Sequence, residues 1–341
     1  MQYRTRLALL VFSHLLLTFI FISAAAADTI ILQNGDRLTG TITRKENNEL
    51  SLEVPYAKTI GIKWNQIQSL ATSARVTLFI DPGDVLEGTL ATAEPGTTLL
   101  KETGSTINLD TILYINPPPY ITGRGSLWKG NINTAMTKTD GNTTTENQHV
   151  DAETILRTKN YRYTLGAVYN RSEDNDSETE ANIKGHTKID RFLSRKWYGL
   201  ANASGEKDRF QDLDLRFTAG LGVGYQVKET KRENLGLEVG LSYLREIFIV
   251  AENGEFPAFR WAIKYDRFLV DRLLQFFHSH ELFVGLDYAE NLLLFSQTGI
   301  RIPATKKIYI LLQVNFDWDN IPSAGKERSD TTYLFGLGAT W

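Results

Sequence analysis

The stretch Leu213-Asp214-Leu215-Arg216-Phe217-Thr218-Ala219-Gly220-Leu221-Gly222-Val223-Gly224-Tyr225-Gln226 alternates without a break. Leu213, Leu215, Phe217, Ala219, Leu221, Val223 and Tyr225 fall on one face, and every residue between them is polar or glycine. A period of two is the signature of a strand, because successive side chains point to opposite sides of the backbone. Thirteen alternating residues from 213 to 225 are far more than the roughly 5–6 of an ordinary soluble strand.

The pattern recurs to either side. Leu235, Leu237, Val239, Leu241 and Tyr243 form one apolar face; Phe259, Trp261, Ile263 and Tyr265 form another; Ile308, Ile310, Leu312, Val314, Phe316 and Trp318 form a third. Glu238, Ser242, Arg260, Lys264, Gln313, Asn315 and Asp317 lie opposite them. A soluble sandwich also alternates, but apolar outside and polar inside is the arrangement of a transmembrane barrel. Three features favour the barrel. Aromatics gather at strand ends (Tyr161, Tyr163, Trp197, Tyr198, Tyr225, Tyr243, Trp318, Tyr333), as interfacial girdles require. About 12 alternating segments span 126–341, an even number that returns the chain to its starting side. The connections sort by charge: 139–145, 170–180, 204–212, 251–257, 287–291 and 317–330 carry net −12, whereas 157–161, 190–196, 228–233, 266–272 and 303–307 carry net +7.

The amino end sets the compartment. Arg4 and Arg6 precede an apolar run from Leu7 to Ile22, then Ser23 and Ala24 to Ala27, then Asp28. This layout predicts a secretory signal peptide over 1–27. Losing the two arginines takes the formal charge from −3 to −5, a balance that argues against a nucleic-acid partner. With no cysteine in the chain, disulfides and thiolate metal sites are excluded.

Between leader and barrel lies an internal repeat. Asn34-Gly35-Asp36-Arg37-Leu38-Thr39-Gly40-Thr41-Ile42 matches Pro82-Gly83-Asp84-Val85-Leu86-Glu87-Gly88-Thr89-Leu90, at an offset of 48 residues. Each copy opens on a Gly-Asp turn and climbs as an alternating strand. Each is too small to bury a core alone, so the copies are expected to pair. Residues 28–116 are therefore read as a small all-β periplasmic domain of SH3-like or Sm-like type, with a periplasmic protein or peptidoglycan as its expected partner. Pro117, Pro118 and Pro119 end it, since prolines cannot join a ladder, and 117–125 is read as a linker.

The search for chemistry begins with His278 and His280. Their spacing puts both on the face of Phe276, Leu282, Val284 and Leu286, opposite Glu281 and Asp287. That face is lipid-facing, near the periplasmic end, where amphipathic rings sit at an interface. An outer-membrane lipase would need a serine beside them, with Ser279 the nearest, and no such set is apparent. No third ligand completes a metal site with the two histidines. Glu173-Asp174-Asn175-Asp176-Ser177-Glu178-Thr179-Glu180 lacks the spacing and glycine of a calcium loop. His149 and His186 stand alone. Inward Arg216, Arg260, Lys264, Glu238 and Glu281 are expected to pair across the lumen. No catalytic, cofactor-binding or metal-binding residue is assigned.

Ser126-Leu127-Trp128-Lys129-Gly130 followed by Thr139-Asp140-Gly141-Asn142-Thr143, then Phe277-His278-Ser279-His280-Glu281-Leu282, and the last strand, Tyr333 to Trp341, stand out as motifs. On these the chain resembles the salt-induced outer-membrane protein family. The likeness covers most of 126–341 and implies a barrel without an established reaction or ligand. The expectation is an all-β chain: an antiparallel transmembrane β-barrel of about 12 strands in the cell outer membrane, behind the small β domain. Its expected partners are outer-membrane lipid, lipopolysaccharide and the barrel-assembly machinery, the last through the strand ending at Trp341. Its expected role is that of a non-enzymatic narrow pore or osmotic-stress factor.

Overall fold

The computed structural model describes residues 27–139, 144–230, 232–270 and 273–341. The leader expected over 1–27 falls, up to residue 26, outside them. The chain forms two compact units, Met1–Pro117 and Pro118–Trp341.

In the first unit the same order of elements occurs twice. It begins β1 (Asp28–Leu32), β2 (Arg37–Glu46), β3 (Glu49–Val54), β4 (Lys58–Lys63), a 3-10 turn at Trp64–Gln66 and β5 (Ile67–Ala71). It continues β6 (Val76–Ile80), β7 (Asp84–Gly88), β8 (Leu90–Thr92), β9 (Thr97–Leu100), β10 (Ser105–Asn108), a 3-10 turn at Leu109–Thr111 and β11 (Ile112–Ile115). The halves differ after the Gly-Asp turn: β2 is continuous, whereas its counterpart breaks at Thr89 into β7 and β8. The Thr89 N–H donates to both Glu102 carboxylate oxygens, at 2.9 and 2.8 Å. Gly88 leaves the room for that carboxylate.

Both halves feed one core, with Ile30, Leu50 and Leu70 from the first and Leu78, Leu90 and Ile112 from the second. A bulge between Ile42 and Arg44 shifts the parity of β2, so Lys45 turns inward and is buried. Its Nζ donates to the Ile112 and Leu113 carbonyls and lies 4.7 Å from the Trp64 ring centre. The Trp64 indole donates to the Leu109 carbonyl at 3.1 Å. These bonds tie the first half to the second.

The stretch read as a linker is ordered at its centre. Pro119–Thr122 forms one helical turn, ended by Gly123 at φ +78°. Proline suits the first helical position, where no N–H is needed. Tyr120 is buried, with the Arg157 guanidinium 5.0 Å from its ring, so this turn packs on the second unit instead of running free.

The second unit is a closed antiparallel barrel of twelve strands. They are β12 (Leu127–Thr139), β13 (Thr145–Arg157), β14 (Tyr161–Asp174), β15 (Ser177–Phe192), β16 (Trp197–Asp208) and β17 (Leu213–Glu229). There follow β18 (Glu233–Phe248), β19 (Gly254–Val270), β20 (Leu274–Gly285), β21 (Leu292–Pro303), β22 (Ile308–Asp319) and β23 (Ser329–Thr340). Each pairs with its successor and β23 closes on β12, so no edge is left to be satisfied by lipid. The outside carries Leu221, Leu241, Tyr333 and Phe335, while Arg216, Glu238 and Arg260 are buried inside. Exposed aliphatics over buried charges invert the rule for a protein in water and match a wall facing hydrocarbon.

Strands of 12 to 17 residues exceed the ~9–11 that span a bilayer, so their ends project beyond it. Most of the acidic excess sits on those ends. The described turn residues alone carry net −3 on one side (144, 175–176, 209–212, 249–253, 286–291, 320–328) and net +6 on the other (158–160, 193–196, 230, 232, 273, 304–307). One expected girdle residue is misplaced. Trp197 is exposed on the outer wall with its ring centre 4.8 Å from that of Tyr225, but Tyr198 is 1% exposed inside the barrel. Adjacent strand residues face opposite ways, so the two cannot share a girdle.

The seam between β12 and β23 pairs Asn131 through Thr134 with Thr340 through Leu337, and Gly130 and Trp341 exchange two further backbone hydrogen bonds. Glycines let it close: a side chain at Gly338 would collide with the Tyr309 ring and Asn133 Oδ1, and one at Gly130 with the Trp341 ring. Gly199, by contrast, faces open space. We expect Gly338→Val to abolish the fast-migrating, heat-modifiable form of the refolded barrel on a gel, and Gly199→Ala to keep it.

Burial pushes the Lys45 ammonium down to about 8 from 10.5. Between those values the unfolded chain holds the proton that the folded domain has released, so stability rises with pH across this window and is flat below it. The urea midpoint for proteolysis within residues 28–116 of the full-length protein should climb from pH 8 to 10, by the equivalent of ~1–3 kcal/mol. Lys45→Met should remove the slope.

Candidate functional site in the barrel lumen

The outer-wall histidines come first. His278 and His280 lie mid-strand in β20, away from either end, and face outward with Trp261 of β19 and Thr298 of β21. They join in a row: Trp261 Nε1 to His280 Nε2 at 3.1 Å, His280 Nδ1 to His278 Nε2 at 3.0 Å, and His278 Nδ1 to Thr298 Oγ1 at 2.8 Å. An indole N–H can only donate. His280 therefore accepts at Nε2 and carries its proton on Nδ1. His278 then accepts at Nε2 and donates from Nδ1 to the threonine. The imidazole gives a hydrogen bond to the hydroxyl, which is the reverse of what a general base must do.

Ser279, the hydroxyl nearest in sequence, faces the lumen with Lys264 and Gln297 as its ladder partners. It cannot reach either neighbouring imidazole. His149 is buried in the lumen wall with Asn170 Oδ1 at 2.5 Å from Nδ1 and Asp151 Oδ2 at 2.9 Å from Nε2, so both ring nitrogens are occupied. His186 lies 3.8 Å from Glu153. Among the described residues no group of three or more His, Cys, Asp or Glu side chains is placed to hold a metal ion.

What the barrel does assemble is a braced interior. In one layer Arg260 pairs with Glu238 at 3.1 Å and with Glu281, while Lys188 also pairs with Glu238. The Tyr198 hydroxyl donates to the same carboxylate at 2.9 Å, and Arg162 pairs with Asp190 beside it. In a second layer Arg216 takes Glu246 at 2.6 Å, Asp319 at 3.1 Å and Glu206 at 3.6 Å, and Lys184 takes Glu206 at 3.6 Å. Desolvated charges are tolerated in such a place only when each is answered.

Some braces cross from wall to wall. Lys264 on β19 meets Glu153 on β13 at 2.5 Å, six strands away around the barrel. Twelve strands ~4.8 Å apart and tilted ~40° would close into a circle roughly 24 Å wide. Extended lysine and glutamate side chains together reach only about 11 Å. The walls are therefore closer there than in a circular section. Lys264 is 50% exposed, against 6% for Arg260 and 8% for Arg216; it is the brace most open to water.

Phe295 of β21 fills the middle. Its ring lies 3.6 Å from Lys184 Nζ on β15, again six strands away, and 5.9 Å from the Arg216 guanidinium. It packs on a buried apolar cluster of Leu244, Phe256, Ala258, Phe283 and Leu293 inside the barrel. The aromatic ring thus faces two cations from the opposite wall, each also ion-paired with Glu206. The five charged residues expected to pair inside all belong to these braces. Phe295 and Thr298 carry as much of the arrangement, and no sequence pattern marks them; Tyr198 and Trp261 stand out in the sequence only as wall aromatics. Leu292-Leu293-Leu294-Phe295 is apolar on both faces, so parity cannot tell which side is inward.

The outer-wall row makes a direct test available. Imidazole 15N shifts at neutral pH should show the Nδ1–H tautomer for both His278 and His280. In Trp261→Phe the Nε2–H form of His280 should gain at least a tenth of the population.

No curated protein matches this sequence. Among solved structures the chain is similar to the NanC porin, at 11% identity over 62% of this chain and 98% of that one, TM-score 0.39. It is similar to the translocator domain of the autotransporter NalP from Neisseria meningitidis, at 14% identity over 63% of this chain and 87% of that one, TM-score 0.32. It is also similar to a Pseudomonas aeruginosa FadL homologue, at 9% identity over 92% of this chain and 87% of that one, TM-score 0.29. Residues 132–341, all within the barrel unit, match the family model described as protein of unknown function, DUF481. That is more than half of the chain, which therefore belongs to the DUF481 family.

Proposed function

We propose that this protein is a non-enzymatic barrel of the outer membrane, a narrow pore closed at rest by its own lumen side chains. The observation that carries the reading is the wall-to-wall bracing, Lys264 to Glu153 and Lys184 to Phe295. A general diffusion pore keeps an aqueous lumen; here the same space holds paired charges and an aromatic plug. Residues 28–116 act in the periplasm as a docking module for a protein or peptidoglycan. The acidic strand ends face outward towards lipopolysaccharide, and the last strand is the part read by the barrel-assembly machinery.

A role in salt or osmotic stress fits the same interior. Salt screens exposed charges more than buried ones, so rising ionic strength weakens Lys264–Glu153 before it weakens the Arg216 and Arg260 groups.

Planar-bilayer recording of the refolded full-length protein tests the closed state. The wild type should be nearly silent. Phe295→Ala should raise single-channel conductance at least threefold, and Lys264→Gln should raise the frequency of brief openings. A wild type that conducts steadily at the level of Phe295→Ala would refute the closed lumen.

A further inference from the structure

Among the described residues five arginines point into the barrel, and four of them are answered by carboxylates: Arg157 by Glu229, Arg162 by Asp190, Arg216 by Glu246, and Arg260 by Glu281. Arg301, near the end of β21 at the basic-turn side, is different. Among the described residues no carboxylate lies within ion-pair distance of it, and its buried Nε has no hydrogen-bond partner. Its guanidinium is held instead by aromatic faces, 4.0 Å from the Phe277 ring centre and 5.5 Å from that of Tyr309.

The surroundings keep carboxylates away from it. Its ladder partners are Gln275 and Leu311. Gln275 donates its amide to Asp266 at 3.2 Å, and Asn234 donates to the other oxygen of the same carboxylate at 3.2 Å. Asp266 is thus committed to two amides. The Tyr309 hydroxyl donates to Asn133 Oδ1, and its oxygen also faces the Arg301 guanidinium as a neutral acceptor. Phe277, Tyr309 and Leu311 form a buried apolar wall behind the cation. Arg301 itself stays partly exposed.

A half-buried guanidinium stacked on an aromatic, with no anion of its own, is costly unless a ligand supplies the anion. Stacking fixes the plane of the guanidinium and leaves its edge as the interaction surface, a fork that matches two oxygens of one group. We propose that Arg301, backed by Phe277 and Tyr309, is a binding site for a small oxyanion, a carboxylate or a phosphate, reached from the basic-turn end of the lumen. The site does not depend on whether the barrel conducts. A barrel that is silent or open in a bilayer leaves it intact, so the two readings fail separately.

The test is ligand-dependent thermal stability of the refolded full-length protein in detergent, followed by loss of the heat-modifiable form. Sodium acetate and inorganic phosphate are titrated at constant ionic strength against chloride. The unfolding temperature of the wild type should rise by several degrees and saturate with at least one of them. Saturation by acetate alone assigns a carboxylate site, by phosphate alone a phosphate site, and by both an oxyanion site without further selection. Arg301→Gln should raise the half-saturating concentration at least tenfold. Arg301→Lys keeps the charge but loses the fork, and should raise it about as much. No saturable shift with either anion in the wild type would overturn the proposal, as would an unchanged half-saturation in both variants.

Discussion

A backbone in hydrocarbon has no water to satisfy its N–H and C=O groups, and the rest of this structure follows from that. The sheet must close on itself, so β23 has to find β12. That join rests on Asn131 through Thr134 and on the glycines that let Tyr309 and Trp341 lie against the backbone. Closure also creates an inside. Every second residue of every strand is thereby removed from lipid, whatever its chemistry.

The interior this sequence builds is polar in composition but packed like a core. Large side chains meet from opposite walls, and the charges are grouped so that Arg216 and Arg260 each serve more than one carboxylate. Ionic layers of this kind fix a geometry more than they add stability, because the desolvation cost offsets much of the attraction. The apolar cluster around Phe295 supplies what the ion pairs do not, a buried apolar contact. Bracing and apolar burial act at the same place.

Much of this was legible in the chain. Strand parity from Leu215 to Gln226 and from Ile308 to Trp318 placed Arg216, Leu312 and Val314 on the correct sides, and the turns fell within a few residues of their expected positions; Leu213, expected on the outer face, lies beyond a bulge and is buried. Legibility failed where a property depends on register between strands. That His278 lies opposite Thr298, and Ile263 opposite His280, cannot be read from one strand at a time. It also failed where the local pattern breaks. The bulge in β2 turns Lys45 inward, and the Leu292–Phe295 run is apolar on both faces. Tyr198 was misplaced because an aromatic near a strand end was taken for an interfacial one, although its neighbour Trp197 already occupied the outward position.

The row from Trp261 to Thr298 is more than a way of hiding two imidazoles in a lipid-facing wall. A pair of hydrogen-bonded histidines is self-consistent in either of two directions, and reversing it means moving a proton on both rings together. The indole at one end admits one direction and forbids the other. The wall thus carries a small bistable element held in a single state by one side chain. Its aligned N–H dipoles run across three strands, β19 to β21, perpendicular to the chain.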